Sequence, residues 1–248
     1  MTSIKKIDQL RLLKGLSIPM TDGACFVKHL TIGEIAEIGL EEFYQYLNLF
    51  TVEDDEINIK IDDKSIDLYN ALMINCRNDF NIRNKIEVGL CVFTGEQHCY
   101  YDEERDILFI DNVDDRRITE ENFNEFRSIL QIIYRIKKEI EDQSTMTEAE
   151  RKMRKKFEDR KKQLAKAKQK EGKGDKITLE DLIIGLMVVG RKTNEDVWNF
   201  PFYSFYEAFY CLERKEQYEV NLKSLLAGAD PNKVKLIHWL DKTEELKQ

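Results

Sequence analysis

Only three prolines and eleven glycines occur in 248 residues. A turn-rich sandwich or barrel needs more of both, so the shortage favours helices. Histidine is scarce as well: His29, His98 and His238 fall in three different predicted elements, which leaves no pair at zinc-ligand spacing. The five cysteines, Cys25, Cys76, Cys91, Cys99 and Cys211, are odd in number and contain no CxxC. Neither a disulfide framework nor a zinc ribbon is supported, and buried free thiols are expected. His98–Cys99 together with Cys91 comes nearest to a metal fragment, but no fourth ligand is in view. No apolar run approaches the ~18 residues of a membrane span; the best candidate, DLIIGLMVVGRK, is far too short. The N-terminal MTSIKKIDQLRLLKGLSI has no long apolar core followed by a small-residue cleavage site, so no signal peptide is expected. HExxH, GxSxG and P-loop patterns are all missing. GKGDK at 172–176 lacks P-loop spacing and the terminal Ser/Thr, and it reads as part of a linker. The acidic clusters Asp54–Glu56 and Asp114–Asp115 lack the regular oxygen spacing and glycine of an EF-hand, and they read as solvated loops. No catalytic residue, cofactor or metal is expected, and the chain reads as non-enzymatic.

What the chain does have is charge. Charged residues make up 35%, with a net charge of −8. The distribution is uneven: residues 148–176 carry 13 Lys+Arg and 6 Asp+Glu, a local +7, which leaves −15 on the rest. Clustered lysines bind nucleic acid through counterion release, so residues 151–170 define one alternative reading. The interleaved acids, the lone aromatic Phe157 and a pI of 5.2 favour instead a solvated helical linker or a contact to an acidic protein surface.

Hydrophobic residues make up 42%, enough for a sizeable core. Near the N-terminus two extended pieces are expected around the turn-prone TDG. In TIGEIAEIGLEEFYQYLNLF, Thr31 and Glu34 have capping-box spacing. Ile35, Ile38, Phe43, Leu47 and Phe50 follow a helical period, with a bend or a helix break at Gly39. EDDEINIKIDDKS reads as a loop with a brief strand, and SIDLYNALMINCRNDF as an amphipathic helix on Leu68, Leu72 and Met73. KIEVGLCVFTGEQHCYYDEERDILFIDN is rich in β-branched and aromatic residues and reads as two or three strands. ITEENFNEFRSILQIIYRIKKEI is a helix capped by Thr119, with early acids and late bases, Arg135 among them, as the macrodipole prefers. After the charged stretch, Thr178 and Thr193 cap two further helices. Pro201 opens an aromatic helix running to about Leu226, and KVKLIHWLDK reads as a closing helix. The fold class expected is mainly α (α+β), with boundaries at 1–142 (N-terminal α+β domain with a small antiparallel β insert), 143–176 (basic charged linker helix) and 177–248 (C-terminal helical domain).

Seven of the twelve residues from Asn199 to Tyr210 are Phe or Tyr. At ~100° per residue, Phe202, Phe205, Tyr206 and Phe209 form one stripe, flanked by Tyr203 and Tyr210 on one side and Leu212 on the other. The apolar arc spans about 180°, against a usual stripe of ~100°. One domain can bury the stripe. The surplus tyrosine flank calls for a second helix layer, a second copy of the chain or a client, and tyrosine suits such half-wet contacts. TLEDLIIGLMVVGRKTNEDVWNFPFYSFYEAF also has a helix–turn–helix cadence, but its second helix is aromatic and acidic where DNA readers place basic residues.

VKHLTIGEIAEIGLEEFYQYLNLF, residues 27–50, resembles the opening of the tail assembly chaperones of tailed bacteriophages infecting Gram-positive bacteria. The order of later pieces is similar: the Lys/Glu-rich 148–176, the aromatic 200–212, LAGAD at 226–230 and IHW at 237–239. Leu40–Glu41 and FPFYSFY depart from the family pattern. The resemblance implies a non-enzymatic factor in the host cytoplasm, with no membrane and no nucleic acid. Such a factor coats and solubilises the long hydrophobic helical tape-measure protein and helps recruit the tail-tube protein; a homo-oligomer is left open. The residues expected to carry partner contact are Phe202, Tyr203, Phe205, Tyr206, Phe209 and Tyr210, with Phe43, Tyr44 and Leu47 as a second set. The alternatives are a nucleic-acid-associated protein using 151–170 and a structural tail or capsid component.

Overall fold

The computed structural model describes residues 7–52, 60–61, 64–111, 113, 115–136, 178–231, 233–234 and 236–240. Helix α1 (Gln9–Lys14) is capped by Asp8, which accepts from Leu10 N, and ends at Gly15 with φ 69°. Strands β1 (Ile18–Pro19) and β2 (Phe26–Val27) pair antiparallel around TDG, as the sequence implied. The capping box at Thr31 opens α2 (Ile32–Ile38): Thr31 Oγ1 accepts from Glu34 N at 3.1 Å, and Glu34 Oε2 accepts from Thr31 N at 2.8 Å. Gly39, at φ 96°, breaks the helix, and α3 (Leu40–Thr51) begins directly after it. Short strands β3 (Lys60–Ile61) and β4 (Lys64–Ser65) form a hairpin.

Asp67 caps α4 (Leu68–Asn78), and Asp79 caps α5 (Phe80–Thr94). Here the strand expectation is corrected: KIEVGLCVF is the second half of α5, not a strand. Ile86, Leu90 and Phe93 recur at helical spacing and are fully buried, while Val88 turns outward. The tertiary period thus overrides the β-branched composition. The remainder of that stretch is β5 (Cys99–Asp102) and β6 (Ile107–Ile110), which with β7 (Arg117–Ile118) form an antiparallel sheet in the order β5-β6-β7. Helix α6 (Glu120–Ile133) starts from Thr119, whose N–H donates to Asn122 Oδ1 at 2.8 Å. Mainly helical with small antiparallel strands, this is the fold class expected.

Helices α3, α5 and α6 share one aromatic core. Phe50 meets Phe93 (6.0 Å, 89°) and Phe126 (5.6 Å, 84°) edge to face, the geometry that ring quadrupoles favour. All three rings are fully buried, and each removes apolar surface worth about 3 kcal/mol from water.

The chain divides into two compact units, residues 1–136 with 193–248, and residues 137–192. Of the second unit, residues 178–192 are described, and the segment 143–176 expected as a linker helix lies outside the described residues. In the second unit, α7 (Leu179–Val188) follows a capping box at Thr178; Leu182 and Leu186 are buried, and Ile184 and Val188 are exposed. In the first unit, Thr193 caps α8 (Asn194–Trp198), and α9 (Phe202–Leu226) follows Pro201. The helix expected at KVKLIHWLDK is not formed over Leu236–Leu240. There the His238 ring stacks on Trp239 (5.7 Å) and meets Tyr218 (5.4 Å), and His238 Nδ1 accepts from Leu240 N, so side-chain contacts replace the helical ladder. No helix among the described residues is long and apolar enough to cross a membrane.

Candidate functional site

The two sequence stretches that carried the most information meet. Ile32 N donates to Phe200 O and Phe202 N donates to Leu30 O, both at 2.9 Å, around a bridge between Thr31 and Pro201. In this antiparallel pairing the bridged residues themselves exchange no hydrogen bond, so a proline, which has no N–H, fits there. Close approach is built in on both sides. A Cβ on Gly33 would lie 3.1 Å from Trp198 O, and one on Gly15 would lie 2.4 Å from Pro201 Cγ. Ser204 Oγ adds a hydrogen bond to Leu13 O. These links join α8 and the start of α9 to the N-terminal elements, which is why they belong to that unit.

From this anchor the aromatic stripe of α9 runs into the core. Phe202 and Phe205 are buried, as are Phe43 and Leu47 of α3. The Phe202 ring lies 5.9 Å from Phe43, 5.4 Å from Tyr134 and 4.8 Å from Tyr206. Tyr134, just past α6, donates its hydroxyl to Lys28 O at 3.1 Å and accepts from Leu30 N at 3.4 Å. Its burial pushes the phenol well above its ordinary range. Phe43, Leu47, Phe202 and Phe205 are therefore closed inside this chain.

The tyrosine flank finds an internal partner that the sequence did not single out. The Arg135 guanidinium lies 5.0 Å from the rings of both Tyr203 and Tyr210. Its Nη1 is 2.8 Å from Glu207 Oε1, an ion pair whose angles depart from a good hydrogen bond. Tyr203, Glu207 and Tyr210 are spaced four and three apart on one face of α9, so a single arginine fills the space between them. Arg135 adopts φ 54° directly after α6, which is uncommon for a residue with a Cβ. Read from sequence, it was only a base near a helix end.

What stays accessible is the next strip. Tyr44 and Tyr210 are each 40% exposed, and Tyr206 and Phe209 are half-buried. Tyr206 lies beside Tyr44, and its phenol is pushed up to about 12, chiefly by burial and then by Tyr44. Tyr206 and Tyr210 are 6.4 Å apart, and Phe209 and Tyr210 6.3 Å. The two expected residue sets, on α3 and α9, thus form one seam: a closed core with an aromatic rim. The rim offers ring faces and hydroxyls, suited to an apolar surface with occasional polar groups.

The other chemical candidates stay apart. His29 is buried (5% exposed), neither ring nitrogen has a partner, and burial lowers its pKa to about 4. His98, Cys91 and Cys99 line an open groove of about 580 Å3 between α5 and β5. Among the described residues no group of three or more His, Cys, Asp or Glu could hold a metal ion. Residues 151–170, GKGDK and Asp54–Glu56 lie outside the described residues.

No curated protein and no solved structure matches the chain. Residues 166–244, less than half of it, match the family model described as the YomV second domain, a phage-type domain.

Proposed function

We propose that this protein is a non-enzymatic tail assembly chaperone acting in the host cytoplasm, whose client is the apolar helical tape-measure protein and which helps bring in tail-tube subunits. The observation that carries the reading is the rim formed by Tyr44, Tyr206, Phe209 and Tyr210 beside a fully closed core. An amphipathic client helix lays its apolar face on such a surface through anchors spaced by helical turns. Tyrosine gives large contact area while tolerating water in the unbound state. Outside the basic 148–176 the chain carries −15, a repulsion that keeps many copies on one long client from aggregating. The phage-related match at 166–244 agrees with this setting.

Co-expression tests it. The tape-measure protein is expected in the soluble fraction with this chain and in the pellet without it. Equal solubility in both cultures would sink the proposal.

A further inference from the structure

Cys91 and Cys99 are separated by a single chain reversal. Cys91 lies in the last turn of α5, Gly95 ends that helix at φ 76°, and Cys99 opens β5. After burial, Cys91 is the neighbour that most raises the Cys99 thiol, so the two side chains are adjacent. The reversal is held from both sides: Phe93 O accepts from Lys28 N at 2.7 Å, and Thr94 Oγ1 donates to Leu90 O at 2.8 Å while lying 3.9 Å from Cys99 Sγ. Both thiols line the open groove, where Cys91 is half-exposed and Cys99 is 9% exposed. The other cysteines sit on separate elements: Cys25 is buried with its sulfur 3.3 Å from Met20 Sδ, Cys76 is buried in α4, and Cys211 is on α9.

We infer that Cys91 and Cys99 are a reversible dithiol–disulfide pair, closed by a peroxide-class oxidant, which staples the end of α5 to the start of β5. Cys91, the sulfur the groove exposes, attacks the peroxide. The O–O bond breaks, one water leaves, and Cys91 becomes a sulfenic acid. The Cys99 sulfur then attacks the Cys91 sulfur. The S–S bond forms, the S–O bond breaks, and the second water carries away the remaining thiol proton. Two thiols and one peroxide give one disulfide and two waters. Burial holds the Cys99 thiol above its ordinary range, so this second step speeds up as pH rises and more thiolate forms. The attack is intramolecular, between two side chains on one groove, and this offsets the low thiolate fraction.

The test uses the full chain and hydrogen peroxide. Thiol titration after denaturation should fall from five groups to three, with a Cys91–Cys99 cross-linked peptide in the digest and recovery of all five on reduction. The rate of cross-link formation should rise with pH. The Cys91→Ser variant, checked for folding by circular dichroism, should lose the cross-link, and Cys99→Ser should stop at oxidised Cys91. Persistence of five thiols, a cross-link between any other pair, or sulfinic Cys91 beside free Cys99 in the unsubstituted chain would each overturn the inference.

Discussion

Acid should destabilise this fold through one residue, and the size of the effect follows from its surroundings. His29 lies just before α2 with both ring nitrogens unpartnered, and burial lowers its pKa from 6.5 to about 4. The native state therefore refuses a proton that the unfolded chain accepts. A depressed folded value means that the contribution is fully present above pH 6.5 and is lost as pH falls toward 4. Linkage between these two values gives a loss of about 2 kcal/mol from pH 8 to pH 5, levelling at about 3 kcal/mol below pH 4. The measurement is urea unfolding at pH 8, 6.5 and 5 for the unsubstituted chain and His29→Leu. Subtracting the two curves removes every other titrating group. Glu34 in particular loses stability in a separate, more acid window, because its carboxyl is held below its ordinary value of 4.5; burial opposes this, but the hydrogen bonds from Lys28 and Thr31 outweigh it. Leucine leaves no unpaired nitrogen, so the variant should be no less stable at pH 8 and should lack the loss between 6.5 and 5. Parallel curves for the two chains would refute the reasoning.

Other consequences are equally direct. Arg135→Ala removes two cation–π contacts and a half-buried ion pair, and it should cost about 2 kcal/mol in chemical unfolding. Arg135→Gly should lose about 1 kcal/mol less, because the φ of 54° no longer strains a Cβ; equal losses would mean that the backbone there is unstrained. Phe205→Ala, in the closed core, should cost about 3–5 kcal/mol, whereas Tyr44→Ser on the rim should stay within about 1 kcal/mol, and similar thermal shifts would erase the distinction between core and rim. Gly15→Ala should cost more than Gly23→Ala by over ~1 kcal/mol, because both have positive φ but only Gly15 faces Pro201 at 2.4 Å. Equal costs would deny the close approach that seats α9.

Local signals in the sequence were reliable where the chemistry itself is local. Thr31 with Glu34, Thr178 with Asp181 and Thr193 with Asp196 could each be read as caps because three residues suffice to make one. The break at Gly39 was legible for the same reason. KIEVGLCVF misled because Val88 and Val92 suggest a strand, while Phe93, buried like Ile86 and Leu90, packs on distant Phe43 and Phe50. KLIHW misled because its ring contacts involve Tyr218. At the candidate site, the angular width of the α9 arc was legible in the sequence, and within the chain its tyrosine flank faces Arg135. That Arg135 would fill the Tyr203–Tyr210 gap could not be read, since nothing in the spacing of α6 shows where the residue after its last turn will aim. The joining of Tyr44 with Tyr206 depends on the Leu30–Phe202 pairing, about 170 residues apart in sequence, which no local pattern encodes.

The most direct test of the central claim is capture of the tape-measure protein by purified full-length chain carrying Tyr44→Ser, Phe209→Ser and Tyr210→Ser together, compared with the unsubstituted chain at equal folded concentration. The account predicts that the unsubstituted chain retains the client in solution and that the rim variant, still folded by circular dichroism, releases it to the pellet. A folded rim variant that holds the client as well as the unsubstituted chain would contradict the assignment of this surface.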